Sequence, residues 1–229
     1  IKSQKNINYE MIPIRTHILG SQDDICSTIK YYTEDIIKSD DIVAIGETPI
    51  AIMQGRYLDA MSLNISFIAK LLCIPFHPTS SLASAGGMQA LINIYGPTRI
   101  TFSILLGTIS KIFRIKGVFY RLAGKQARLI DDITGTTPPY DKSIVLGPCD
   151  PKKICDEIYQ QLNTRIAIVD VNDLGKVKIL AASHIEDKQI IMEALRSNPA
   201  GNGSEQTPIV LIRPVKNFAT DNSLNNLDF

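Results

Sequence analysis

Cysteine is sparse in this 229-residue chain. Cys26, Cys73, Cys149 and Cys155 have spacings that fit neither a zinc knuckle nor a disulfide framework. A reduced, cytoplasmic protein is the expectation that follows. Cys149 and Cys155 can approach each other if Cys155 lies on the following helix; the simpler alternative is two small hydrophobes near a core. Histidine is scarcer still, and His17, His77 and His184 carry no ligand spacing, so they read as structural. The chain lacks an excess of either charge: the formal net charge is +1, which gives no global field toward nucleic acid or acidic lipid. Long apolar runs are missing as well. The most apolar stretch, "ITFSILLGTISKIF" from Ile100 to Phe113, is shorter than the ~20 residues a membrane span needs, and it carries Lys111. It predicts a buried or interface helix, with membrane-surface contact as the lesser alternative. No transmembrane segment and no basic-then-apolar leader is expected, although the numbering opens at Ile1 rather than Met. No internal repeat is seen.

What is present suffices for a core, since 45% of the residues are hydrophobic against 21% charged. The β-branched "MIPIRTHIL" predicts a strand, with Pro13 tolerated at an edge or bulge. "SQDDICSTIKYYTEDIIK" predicts a helix with Ile25, Ile29, Tyr32 and Ile36 on one face and Asp23 or Asp24 as cap. "DIVAIGE" reads as a buried strand, and "IAIMQGR" as a second short strand ending at Gly55. A helix is predicted over Ser62 to Cys73. "SSLASAGGMQA" reads as a loop leading into a short helix, and Pro97 and Thr98 open the apolar helix. "KGVFYRLAG" and "QARLI" look like strands joined at Gly124, and "SIVLGP" like another. In "CDPKKICDEIYQQL", Asp150 is the expected N-cap, Pro151 the first helical residue, and Ile154, Ile158 and Leu162 the apolar face. "RIAIVDVND" and "KVKILAAS" predict a hairpin across "NDLGK". A helix over Glu186 to Arg196, the loop "SNPAGNGSEQTP" and a strand "IVLIRP" follow. The expected class is mixed α+β with largely antiparallel sheets and packed helices. The expected organisation is one domain over 1–214, with a distinctive apolar helical region at 62–125, and a polar tail at 215–229.

Two acidic strand exits stand out. In "RLIDDITGTTPPYDKSIVLGP", Asp131 and Asp132 follow an apolar run directly. Alternation puts neighbouring side chains on opposite faces, so one of the pair points readily into a given site. Carboxylates in such positions either supply oxygen ligands to magnesium or manganese, or hydrogen-bond to the amides of Ile133 to Thr136 in the turn. The second exit, "VDVNDLGK", offers Asp170, Asn172 and Asp173, again as ligands or as hairpin punctuation. If both loops lie on one sheet edge, they can share divalent ions that carry a nucleotide's phosphate charge. The hydroxyls of Thr134, Thr136 and Thr137, with Gly135 between them, form a possible anion cradle, but no Walker lysine follows. Glu47 and Arg56 flank a short segment in which the planar guanidinium can clamp a carboxylate or phosphate, or face solvent. The glycine-rich loop with Asn202, Glu205 and Gln206 reads as a lid or a plain connection.

The order of these motifs, "IPIRT", "SDDIVAIGETPIAIMQGR", "IDD", "VLGPCDPKKICDEI" and "AIVDVNDLGKV", resembles the coenzyme F-420 gamma-glutamyl ligase family over most of Ile12 to Ala182. The resemblance implies a mixed α+β fold, an interlocked homodimer, and GTP-dependent addition of glutamate to a carboxylate through an acyl phosphate held by divalent metal. Carried over residue by residue, the first metal aspartate falls on Asp131 or Asp132, and the metal pair on Asn172 and Asp173. The nucleotide-side segment falls on Glu47, Gln54, Gly55 and Arg56. Thr48 and Pro49 stand where the family usually has a lysine after the glutamate, and Asn172–Asp173 stand for its Asp-Thr pair.

Three functions follow as expectations. The first is an amide ligase using Mg or Mn and GTP or ATP. Asp131, Asp132, Asp170 and Asp173 would hold metal, Thr48 and Thr134 to Thr137 would lie on the nucleotide, and Arg56 would neutralise charge. The second is a non-catalytic nucleotide- or metal-binding or assembly protein derived from the family, acting through its apolar central helices. The third is a phosphotransferase or phosphatase on the same acidic edge. A small-molecule substrate and a nucleotide are the expected partners, and no nucleic acid.

Overall fold

The computed structural model of the chain describes residues 8–131, 139–172, 174–201 and 205–215. In chain order the elements are β1 (Asn8–Ile14), α1 (Ile25–Thr33), β2 (Ile42–Gly46), α2 (Glu47–Met53), β3 (Tyr57–Asp59), α3 (Phe67–Leu72), α4 (Ala85–Tyr95), α5 (Pro97–Ile112), α6 (Val118–Ala123), β4 (Ser143–Val145), α7 (Pro151–Leu162), β5 (Arg165–Val171), β6 (Val177–Ala182), α8 (Lys188–Ala194) and β7 (Ile209–Val215). They form two compact units. One comprises Ile1–Thr16, Ile29–Ile45 and Lys152–Phe229, and the other His17–Thr28 and Gly46–Pro151. The class is mixed α+β with antiparallel pairing, as the sequence pattern predicts.

The first unit is built on a five-stranded sheet in the order β1-β7-β2-β5-β6. Its central strands are β-branched and buried on both faces. Ile42, Ala44, Ala167, Val169, Val210 and Ile212 share one cluster with Ile191, Ala194 and Leu195 from α8 and the turn after it. Their neighbours Val43, Ile45, Ile166, Ile168, Ile209 and Leu211 are buried too, which explains the near-continuous apolar runs. β7 pairs antiparallel with β1 on one side and β2 on the other. β1 is the edge strand, the position in which Pro13, opposite Val210, costs the sheet least. β5 and β6 form the expected hairpin, with a register shift between Ile168 and Val169.

One ion pair is built into this register. Ile42 lies opposite Ile212, so Asp41 and Arg213 follow side by side. Arg213 Nη2 donates to Asp41 Oδ2 at 2.7 Å and Nε to Oδ1 at 3.0 Å, while the Lys38 amide donates to Oδ2 at 2.9 Å. The Asp41 side chain is fully buried. These bonds raise the Arg213 pKa further above its ordinary value, ahead of the opposing effect of burial.

In the second unit α3, α4, α5 and α6 surround a core that includes Leu82, Met88, Leu91, Ile100, Phe119 and Ile144. Ser66 and Ser84 cap α3 and α4 by accepting from the Ala69 and Gly87 amides. Pro97 opens α5 as expected. The buried face of α5 is Ile100, Ser103, Gly107 and Ser110. A Cβ on Gly107 would lie 2.8 Å from the Phe119 Cβ, so glycine is what lets α6 approach this closely. β3 and β4 pair in a small antiparallel sheet.

Several local expectations are corrected. "IAIMQGR" belongs to helix α2 and the turn after it, not to a strand. Glu47 sits in its first turn, and Ile50, Ala51, Ile52 and Met53 are all buried, so burial around the whole helix overrides β-propensity. "KGVFYRLAG" and "QARLI" are not strands: they form α6 and a 3-10 turn over Lys125–Arg128. Gly117 (φ 78°) and Gly124 (φ 105°) bound α6, whose Phe119 and Ala123 are buried at helical spacing. "SSLASAGGMQA" is a 3-10 turn over Ser81–Ala83 and the first half of α4, not a loop. The helix predicted from Ser62 starts at Phe67, where Ser66 caps it. α1 ends at Thr33, whose Oγ1 bonds back to the Ile29 carbonyl at 2.7 Å, and Ile36 is exposed beyond it. Pro151 opens α7 as predicted, preceded by Asp150 at φ 43°.

Candidate functional site

The early residues assigned to the nucleotide side, Glu47, Thr48, Gln54, Gly55 and Arg56, fall together in the second unit, around β3 and β4. Asp131 extends this small sheet: its amide donates to the Val145 carbonyl and the Val145 amide to its own carbonyl, each at 2.9 Å. β4 therefore lies between β3 and Asp131. The first turn of α2 carries Thr48 to the same place, where its Oγ1 donates to Asp131 Oδ2 over a long 3.4 Å. Two segments 83 residues apart thus meet through polar side chains. Glu47 is buried in that turn, while Thr48 and Asp131 are half-buried.

The strand exit after β4 is held by side chains standing in for a ladder partner. Gln54 takes the Cys149 backbone at both ends: its Nε2 donates to the carbonyl at 3.1 Å and its Oε1 accepts from the amide at 2.8 Å. Gln126 does the same for Gly147, at 3.2 Å and 2.8 Å. Arg56 Nε also donates to the Gly147 carbonyl at 2.8 Å. A guanidinium with its Nε committed keeps a fixed plane. Gly55 adopts φ 67°, which makes the tight turn from α2 into β3. Next to β3 the Tyr140 ring meets Tyr57 edge-on at 5.1 Å, and its hydroxyl donates to the Leu19 carbonyl at 2.9 Å. Burial, then Tyr57 and Asp23, push the Tyr140 pKa up.

The second acidic exit belongs to the other unit. Asp170 lies directly opposite Lys178 in the hairpin and pairs with its Nζ at 3.3 Å. Asn172 organises the turn: its Oδ1 accepts from the Leu174 and Lys176 amides at 3.1 Å and 3.0 Å, and Gly175 supplies φ 71°. Asp132, Thr134, Gly135, Thr136, Thr137, Asp173 and Asn202 lie outside the described residues. Among the described residues no group of three or more His, Cys, Asp or Glu side chains gathers as a metal site. Gln126 and Tyr140 were not singled out from the sequence. Each sits in a stretch whose local pattern gives no sign of a contact across tens of residues.

No family model matches the chain, and a search of curated proteins finds no match.

Among the described residues, the cluster offers the Asp131 carboxylate with the Thr48 hydroxyl beside it, the buried Glu47 carboxylate next to Thr48 in the chain, and the Arg56 guanidinium oriented by the Gly147 carbonyl. Asp131 is a described carboxylate there that could supply an oxygen ligand to a divalent ion, which would otherwise take its ligands from water or substrate.

Proposed function

We propose that the chain is a divergent relative of the gamma-glutamyl ligases and joins an amino acid to a carboxylate with Mg or Mn and GTP or ATP. The Thr48–Asp131 contact carries this reading, because it brings the early nucleotide-side segment onto the acidic strand exit. In the reaction, a substrate carboxylate oxygen attacks the γ-phosphorus and the nucleoside diphosphate leaves. The amine then attacks the acyl carbon, phosphate leaves, and the amine's proton passes to a base. Asp131, with Asp132, would hold the metal against the phosphates, and Arg56 would neutralise their charge. The gamma-glutamyl-ligase-like topology and the homodimer belong to the same proposal.

A second reading, a non-catalytic nucleotide- or metal-binding relative, is favoured by the second exit. Asp170 is paired with Lys178 there, and Asn172 is spent on its turn. One experiment separates the two. Melting is followed with Mn, GTP and both, alongside nucleotide hydrolysis with and without a panel of amino acids. A ligand at 100 times its Kd adds about 2.7 kcal/mol. The ligase reading expects stabilisation by the pair of ligands, phosphate release that depends on an amino acid, and loss of both in Asp131→Asn or Asp132→Asn with the ligand-free melt unchanged. Stabilisation without turnover establishes the binding protein, and release that ignores amino acids a phosphatase. No shift with either ligand removes the site.

A further inference from the structure

The helices of the second unit show an inverted pattern. α5 turns small and polar side chains inward, with Ser103, Gly107 and Ser110 buried. Its large apolar side chains face outward: Phe102 is 60% exposed and Ile112 78%, with Leu105 and Ile109 between them. Positions 102, 105, 109 and 112 recur at three and four, so they form one stripe opposite the buried one. α3 repeats this. Ala69 is buried while Phe67, at 79% exposed, stands out with Leu71 on the far side of the helix, and Ile74 just beyond its end is exposed too. The α5 stripe alone presents on the order of 500 Å² of apolar surface, the size of the largest patch on a typical monomer, about 300–600 Å² and often functional.

The charge around this surface decides what covers it. Between Asp59 and Asp131 the sequence has no Asp or Glu and eight Lys or Arg, leaving sixteen of the chain's 24 basic residues to balance all 23 acidic ones elsewhere. The near-neutral total conceals a strongly basic helical region. At the end of α5 the exposed run Lys111-Ile112-Phe113-Arg114-Ile115-Lys116 interleaves the two characters. A second copy of the chain is a poor occupant, because a two-fold contact sets each basic patch against itself. The 16-residue α5 is too short to span a bilayer, and among the described residues no helix is long and apolar enough to cross a membrane. Apolar side chains flanked by lysine and arginine are what a helix needs to lie in the headgroup layer of an anionic bilayer.

We propose that the outer face of α5 and the turn after it dock on the surface of membranes rich in anionic lipid, with Phe102, Ile109 and Ile112 inserted and Lys111, Arg114 and Lys116 on the headgroups. The test is co-sedimentation of the full chain with vesicles of phosphatidylcholine alone, and of phosphatidylcholine with about one-third phosphatidylglycerol. Binding is expected to the mixed vesicles only and to weaken steeply with salt. At roughly five-fold per basic residue, K111E/R114E/K116E should weaken binding by about 100-fold or more. Phe102→Ser with Ile112→Ser should abolish it. All five positions are exposed, so the melting temperature of each variant should stay near that of the parent, which shows that the loss is not unfolding. Equal binding to both vesicles, or to neither, overturns the proposal. So does a stable dimer in solution that Phe102→Ser dissociates, which would assign the face to a second copy.

Discussion

Arg213→Met should be among the most damaging single changes in the first unit. The Asp41 carboxylate it leaves behind is fully buried, and Arg213 provides its Nε and Nη2 bonds at 3.0 Å and 2.7 Å. Nη2 also donates to the Ile36 carbonyl at 2.7 Å, so the guanidinium ties the turn after α1 to the sheet. Removing one partner of a buried pair typically costs about 3–5 kcal/mol, because the other charge stays in a poorly polarisable place. For a chain of this size each kcal/mol moves the melting temperature by roughly 2–4 °C, so a fall of about 6–20 °C is expected. Met keeps most of the aliphatic stem, which limits the packing change. Thermal and urea denaturation of Arg213→Met, Asp41→Asn and the double variant complete the test. Because the neutral amide is cheaper to strand, the double variant should be more stable than Arg213→Met alone, by about 1 kcal/mol or more. A fall below about 1 kcal/mol in the single variant, or a double variant no better than it, would refute the assignment of this pair as a desolvated lock.

Three further outcomes follow from local geometry. Cys149 is exposed and should react with a thiol reagent in the native protein. Cys155 is buried, and burial pushes its thiol up to about 12, so it should react only on unfolding. The fold holds that thiol neutral, so this contribution to stability is complete below the ordinary value of 9.0 and fades as pH climbs from there toward 12; equal labelling rates for the two cysteines would contradict the packing. Gln54→Ala and Gln126→Ala each strip two bonds from the backbone after β4, at about 1–3 kcal/mol apiece, and amide exchange at Cys149 and Gly147 should accelerate while the first unit is unaffected. Asn172→Ala should cost about 1 kcal/mol through the hairpin turn. Asp170→Asn, which removes only a half-exposed pair, should cost less than that and become neutral in high salt. A neutral Asn172→Ala in urea denaturation would show that the turn does not depend on its side chain.

The parts of the fold legible in sequence were those where local pattern and tertiary context agree. The β5–β6 hairpin has two apolar, β-branched runs, a turn asparagine and a glycine at positive φ, and all three point the same way. Pro151 and Pro97 marked helix starts because proline fits the first helical turn. For α2, a run of Ile, Ala, Ile and Met resembles a buried strand until its burial on every side is known. For α6 the reason is similar: six residues between two glycines give too short a period to distinguish from a strand. At the candidate site, Asp131 and Thr48 were both named from sequence, but nothing in a linear pattern reports a contact between residues 83 apart. The glutamine clamps leave no sequence signal, because a side-chain amide that replaces a ladder partner follows no periodicity.

The placement of β7 between β1 and β2 has a consequence for how the protein comes into being. The strand that joins the first two is synthesised after both of them and after the other strands of the described sheet, so a nascent chain emerging from the ribosome must carry β1 with no mate, and β2 with β5 alone beside it, until residues 209–215 are clear. The second unit's helices, whose contacts are local, can settle long before that. A message cut short or a stalled ribosome would therefore release a half-built sheet with sticky margins, just the sort of species that chaperones hold and proteases clear.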